Sequence, residues 1–276
     1  VTVSAGGGTV ALLSKTGGID LGAASRIAIG GMTGKAGTLK LIAAQGTVAL
    51  DGTIDATALD AGASLTLDNG LGSFDFASFA ASSSSAFTGD VAIRTGAGDL
   101  ILNAGQSLKL ASLRLTADGG AASINGTIDT SGINGGDIAL YARDGVILGQ
   151  TAVVDTHANG YADTDTRQAS AGDITVGVSG SGTISVANGA RIDMGARRLN
   201  DRLVSHQQID PRTQNRITAY TYMEADKGGA LVLRAPVISQ PAGDTVNIGF
   251  AGAVTGARSV TVEGYRSYDL ASIAAN

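Results

Sequence analysis

Five aspartates share one local form, an aliphatic residue followed by Asp: Ile19-Asp20, Ile54-Asp55, Ile128-Asp129, Val154-Asp155 and Ile192-Asp193. If successive coils of a repetitive fold placed them at one site, they would form a ladder of carboxylates. Two carboxylates about 5 Å apart can retain a glycosidic bond's configuration, and a wider pair can invert it. A carboxylate ladder can also hold Ca²⁺. The competing reading is structural. Each Asp would end a strand, hydrogen-bond locally, and leave the flanking aliphatic pointing inward. A ladder running along most of the chain favours this second reading over a single active site.

Other catalytic patterns are missing. His157 and His206 are the only histidines, and they are far apart in sequence. The chain has no His-Glu-x-x-His, Gly-x-Ser-x-Gly or phosphate-loop motif. With no Cys and two His, a structural zinc site is not expected. Asn125-Gly126-Thr127 matches a glycosylation sequon but lies within the repeat described below. We therefore expect no enzyme activity, no catalytic or metal-ligating residues and no cofactor.

The elements that would position these aspartates are strands. Gly-(Asp/Thr)-(Val/Ile/Leu) starts at Gly8, Gly37, Gly46, Gly52, Gly89, Gly98, Gly126, Gly136, Gly172 and Gly182. Each copy opens a short alternating run such as Leu39-Lys40-Leu41 or Ile138-Ala139-Leu140, the mark of a half-buried strand. The Gly would supply the special backbone angles of a corner. Paired starts recur at Gly37 and Gly46, Gly89 and Gly98, Gly136 and Gly145, and Gly172 and Gly182, and the aliphatic-Asp strand often follows. Three short strands and a restart describe one coil of a right-handed parallel β-helix. The expected fold is all-β: a single β-helix over 1–276, some ten coils and about 50 Å long at the usual interstrand spacing. Asn-Gly and Asp-Gly pairs would also serve an antiparallel sandwich or barrel, but the ordered strand triplets favour the β-helix.

Composition agrees. The 276 residues include 41 Gly, 43% hydrophobic and only 16% charged residues, which argues against disorder. The 22 Asp against two Glu point to turns rather than helices. The net charge of −5 disfavours a nucleic-acid partner. No apolar run reaches the length of a membrane helix. The chain opens directly into strand-like pattern, as a segment of something longer would.

Two stretches break the repeat. Residues 73–88 hold Phe74, Phe76, Phe79 and Phe87 among serines and alanines. They read as an irregular loop or bulged coil whose rings plug the interior, in preference to an exposed contact patch. Residues 197–227 form a polar insertion almost without Gly, in which Tyr220-Thr221-Tyr222 alternates like a strand. Arg212, Arg216, Tyr220 and Tyr222 are its candidate partner-binding residues.

The repeats, with Gly228-Gly229-Ala230-Leu231-Val232-Leu233-Arg234-Ala235-Pro236 and the stretch from Gly256 to Tyr268, resemble the filamentous-haemagglutinin-like exoproteins of two-partner secretion. The likeness covers most of the chain loosely and Ala225 to Tyr268 more specifically. That family's N-terminal secretion domain carries an Asn-Pro-Asn type motif, and no Asn-Pro occurs here. The resemblance thus implies an interior or C-terminal rod segment of a large adhesin, outside or on the surface of a Gram-negative bacterium. It implies export by an outer-membrane transporter that reads a region outside this chain. The partner would be a surface glycan, a protein receptor or the protein itself. Two alternatives stand beside it: a self-assembling extracellular filament or sheath subunit, and a β-helical polysaccharide lyase or glycosidase.

Overall fold

The computed structural model describes residues 2–4, 7–31, 34–58, 62–82, 85–162, 165, 167–241 and 243–267. Ser83, Ser84 and Tyr268, which belong to stretches singled out above, lie outside them. The chain is a parallel β-helix with three strands to a coil. The first sheet stacks Thr9–Ser14, Thr38–Ala43, Ser64–Asn69, Asp90–Thr95, Ser112–Ala117, Ile138–Ala142, Ile174–Val178, Ala230–Gln240 and Ser259–Tyr265. Among the described residues those nine rungs make a rod of about 40 Å, where some ten coils were expected.

A helix divides the second and third sheets. The second runs through Ile19–Leu21 and Val48–Leu50, then Leu100–Leu102, Ala121–Ile124, Gly145–Leu148, Thr183–Val186 and Ile248–Phe250. The third runs through Thr2–Ser4, Arg26–Ala28 and Thr53–Asp55, then Ser107–Lys109, Thr127–Asp129, Val153–Asp155, Arg191–Asp193 and Ala253–Thr255.

Register stacks like on like. Val10, Leu39, Leu65, Val91, Leu113, Ile138, Ile174 and Leu231 form one inward column of the first sheet. All are buried. Each such aliphatic contributes about 1.5–3 kcal/mol on burial. A slip of one residue would turn the whole column outward, so the alternation sets the register.

Each of the ten Gly-(Asp/Thr) copies does precede a strand, but corner geometry is not the usual reason for the Gly. Of the ten, only Gly98 has a positive φ, 74°. At Gly37, Gly46, Gly52, Gly89, Gly126, Gly136, Gly172 and Gly182 the reason is close approach between coils. A Cβ on Gly172 would sit 2.1 Å from the carbonyl oxygen of Gly136. The Asp of the tripeptide clamps neighbouring rungs. Asp137 Oδ1 accepts from the backbone N–H of Asp173 at 2.8 Å, and Asp173 Oδ1 accepts from that of Ala230 at 2.7 Å.

The Phe-rich stretch contains a helix, Phe76–Ser82, where an irregular segment was expected. Asp75 caps it, accepting from the Ser78 N–H at 2.9 Å. The helix stands where this coil's second and third strands would be. Phe76, Phe79 and Phe87 are buried, and Phe79 packs against Phe76 and Phe87 with centroids 6.1 and 5.9 Å apart. The rings plug the interior, as the preferred reading held.

Candidate functional site

The aspartates separate into distinct places. Asp129, Asp155 and Asp193 stack on successive rungs of the third sheet. Asp55 ends the equivalent strand before the helical coil. Asp20 does not join them: it lies in the second sheet opposite Ala49, so the five-membered ladder is corrected to a stack of three. Each stacked carboxylate accepts from the backbone N–H two residues on, at Ser131, His157 and Gly195. These turns bend the chain out of its strand. Ile128, Val154 and Ile192 point into the core.

One rung carries more. His157 Nδ1 lies 2.6 Å from Asp155 Oδ1, and its Nε2 lies 3.0 Å from Asn159 Oδ1. Asp193 stands within the same 4.8 Å cluster. Partial burial opposes the imidazolium, but the two hydrogen bonds and the charges of Asp155 and Asp193 outweigh it and raise the pKa. The arrangement sets the ring between two acceptors, which favours its protonated form.

The polar insertion folds as an antiparallel hairpin, Arg202–Ile209 with Arg216–Met223. It projects between the third-sheet strand Arg191–Asp193 and the first-sheet strand Ala230–Gln240. Residues directly opposite in an antiparallel pair share a face. One face therefore carries Leu203 with Tyr222, Ser205 with Tyr220, Gln207 with Thr218, and Ile209 with Arg216. Leu203, Ile209, Tyr220 and Tyr222 are 67%, 52%, 68% and 62% exposed. Val204 and Met223 lie on the other face and are buried.

Three of the four candidate residues, Arg216, Tyr220 and Tyr222, thus share one face. Arg212 sits in the connecting turn, where its N–H donates to Asp210 Oδ1 at 2.8 Å. Sequence reasoning missed Leu203 and Ile209. Their signal was the alternation Leu203, Ser205, Gln207, Ile209, which pairs with the Tyr strand.

A two-stranded hairpin is marginal alone, and this one is anchored. The Tyr222 hydroxyl donates to Asp201 Oδ2, and Asp201 Oδ1 accepts from the Ala225 N–H at 2.7 Å. The Tyr222 hydroxyl and that N–H hold Asp201 below the usual carboxylate range. Beneath them Arg198 and Asp226 form a buried ion pair. Arg198 also donates to the carbonyls of Arg167 at 2.6 Å and Asp165 at 3.3 Å. Asp226 Oδ1 accepts from the Ala169 N–H at 2.9 Å.

A second excursion was not foreseen. The strand Ala230–Gln240 overruns its sheet and pairs antiparallel with Gly243–Val246. Its signal was Pro241 and Gly243 two residues apart. Among the described residues, no helix is long and apolar enough to cross a membrane.

No family model, curated protein or solved structure matches the chain.

Proposed function

We propose that this chain is a rod segment of a non-enzymatic surface or secreted bacterial adhesin, and that the tyrosine face of the hairpin makes contact with a receptor. The observation that carries this reading is the anchored hairpin itself. It holds two exposed tyrosines, two exposed aliphatics and Arg216 on one face, projecting from the rod. Tyr and Arg are the side chains that most often dominate binding energy, because they combine large contact area with hydrogen bonding. One oxygen of each stacked Asp accepts from a backbone N–H in its turn, which supports a structural role for the stack.

The test is retention of labelled protein on host-derived cells. Tyr220→Ala combined with Leu203→Ser leaves the Arg198–Asp226 anchor in place. It is expected to cut retention by roughly an order of magnitude, with unchanged thermal unfolding. Undiminished retention would remove the hairpin from the contact. Cleavage of polyuronates, with or without Ca²⁺, would overturn the non-enzymatic reading.

A further inference from the structure

On the outer face of the first sheet, Thr116, Tyr141, Gly177, Arg234 and Glu263 follow one another rung by rung. Gly177 leaves that column without a side chain between a phenol and a guanidinium. Above it lies a cleft of about 310 Å³, lined by Tyr141, Gly177, Val178, Ser179, Arg234 and Tyr265. Small-ligand sites begin near this volume, at roughly 300 Å³.

The walls are held in place. Tyr265 comes from the last rung, and its hydroxyl reaches back to donate to the carbonyl of Val178 at 2.5 Å. The Arg234 guanidinium lies 5.5 Å from the Tyr265 ring centroid, and that of Arg114 lies 4.9 Å from the Tyr141 centroid. These contacts orient the forks without consuming their hydrogen-bond donors on carboxylates.

We propose that this cleft binds one acidic pyranose unit of a polysaccharide. The apolar C–H face of a pyranose packs on an aromatic face by dispersion. Its carboxylate matches the bidentate fork of Arg234, and the Ser179 hydroxyl stands at the rim for a ring hydroxyl. Arg234 is the one charged side chain in the lining, so the cleft favours an anion. An open-ended trough on a rod face suits an internal unit of a chain. The site is separate from the hairpin, so binding here succeeds or fails independently of the hairpin's role.

The test is calorimetric titration of the whole chain with a galacturonate trisaccharide and with its neutral galactose counterpart. The acidic sugar is expected to bind at least about tenfold more tightly than the neutral one. Arg234→Gln should remove that preference. Gly177→Thr, whose Cβ would come within 2.8 Å of Tyr141 Cδ1 and push that ring into the cleft while keeping Arg234, should abolish binding of both sugars with the circular dichroism spectrum unchanged. Failure of the acidic sugar to bind, or binding undisturbed by Gly177→Thr, would overturn the proposal. Equal affinity for both sugars would overturn its charge component.

Discussion

Arg198 Nε donates to Asp226 Oδ2 at 3.0 Å, and both side chains are almost wholly removed from solvent. The pair sits where the hairpin leaves the rod, so a polar insertion is seated on a buried charge cluster. Removing one member of a buried pair strands the other and costs about 3–5 kcal/mol. We expect Asp226→Ala to destabilise the protein by that order, read by urea unfolding. Hydrogen exchange should show the hairpin amides losing protection first. Burial opposes ionisation of Asp226, yet Arg198 and the backbone N–H groups of Ala169 and Arg198 hold its pKa below the usual value. A depressed carboxylate stabilises the fold above its unfolded pKa, near 3.8. That stability is lost as pH falls through the folded value.

His157 carries the opposite sign. Its folded pKa is raised above 6.5 despite burial, because Asp155 and Asn159 accept from the ring and Asp193 adds negative charge. The clasp's contribution is complete below pH 6.5 and lost as pH rises through the folded pKa. We expect the wild-type melting temperature to fall across that window more than that of His157→Gln. An NMR titration should place His157 above 6.5, and a value below 6.5 would refute the clasp.

Two glycines separate close approach from mere smallness. Gly172→Ala places a Cβ 2.1 Å from the Gly136 oxygen, and forced overpacking costs roughly 1–3 kcal/mol or more. Gly249 has open space around its missing Cβ and no positive φ. Gly249→Ala should change stability by less than about 0.5 kcal/mol. Chemical denaturation of the two variants compares them directly, and equal effects would refute the stacking argument.

Asp137 supplies the rung clamp. Asp137→Ala removes the acceptor for the Asp173 N–H and should cost about 1 kcal/mol. Asp137→Asn keeps an acceptor oxygen and should recover most of that loss. If the Asn variant were as unstable as the Ala variant, charge rather than the hydrogen bond would be responsible.

Much of the architecture was legible in the chain because a solenoid is nearly one-dimensional: each coil contacts its neighbours, so local periodicity is also global. The paired starts at Gly37 and Gly46, and at Gly172 and Gly182, mark first- and second-sheet strands of single coils. Asp20 misled because its local form is identical to that of Asp129. Only coil length, which assigns it to the second sheet, separates the two. The helix at Phe76–Ser82 was obscured by its brevity and by Phe spacing that resembles a plugged loop.

Sequence alone determined the strand triplets, the inward aliphatic columns and the polar character of the insertion, since period-2 alternation and turn residues act within a few positions. Tertiary structure decided which side chains meet across tens of residues. It set Arg198 on Asp226, His157 beside Asp193, and the Tyr265 hydroxyl on the Val178 carbonyl. Those meetings depend on the exact length of every intervening coil and excursion, and they are made by backbone stacking at about 4.8 Å per rung.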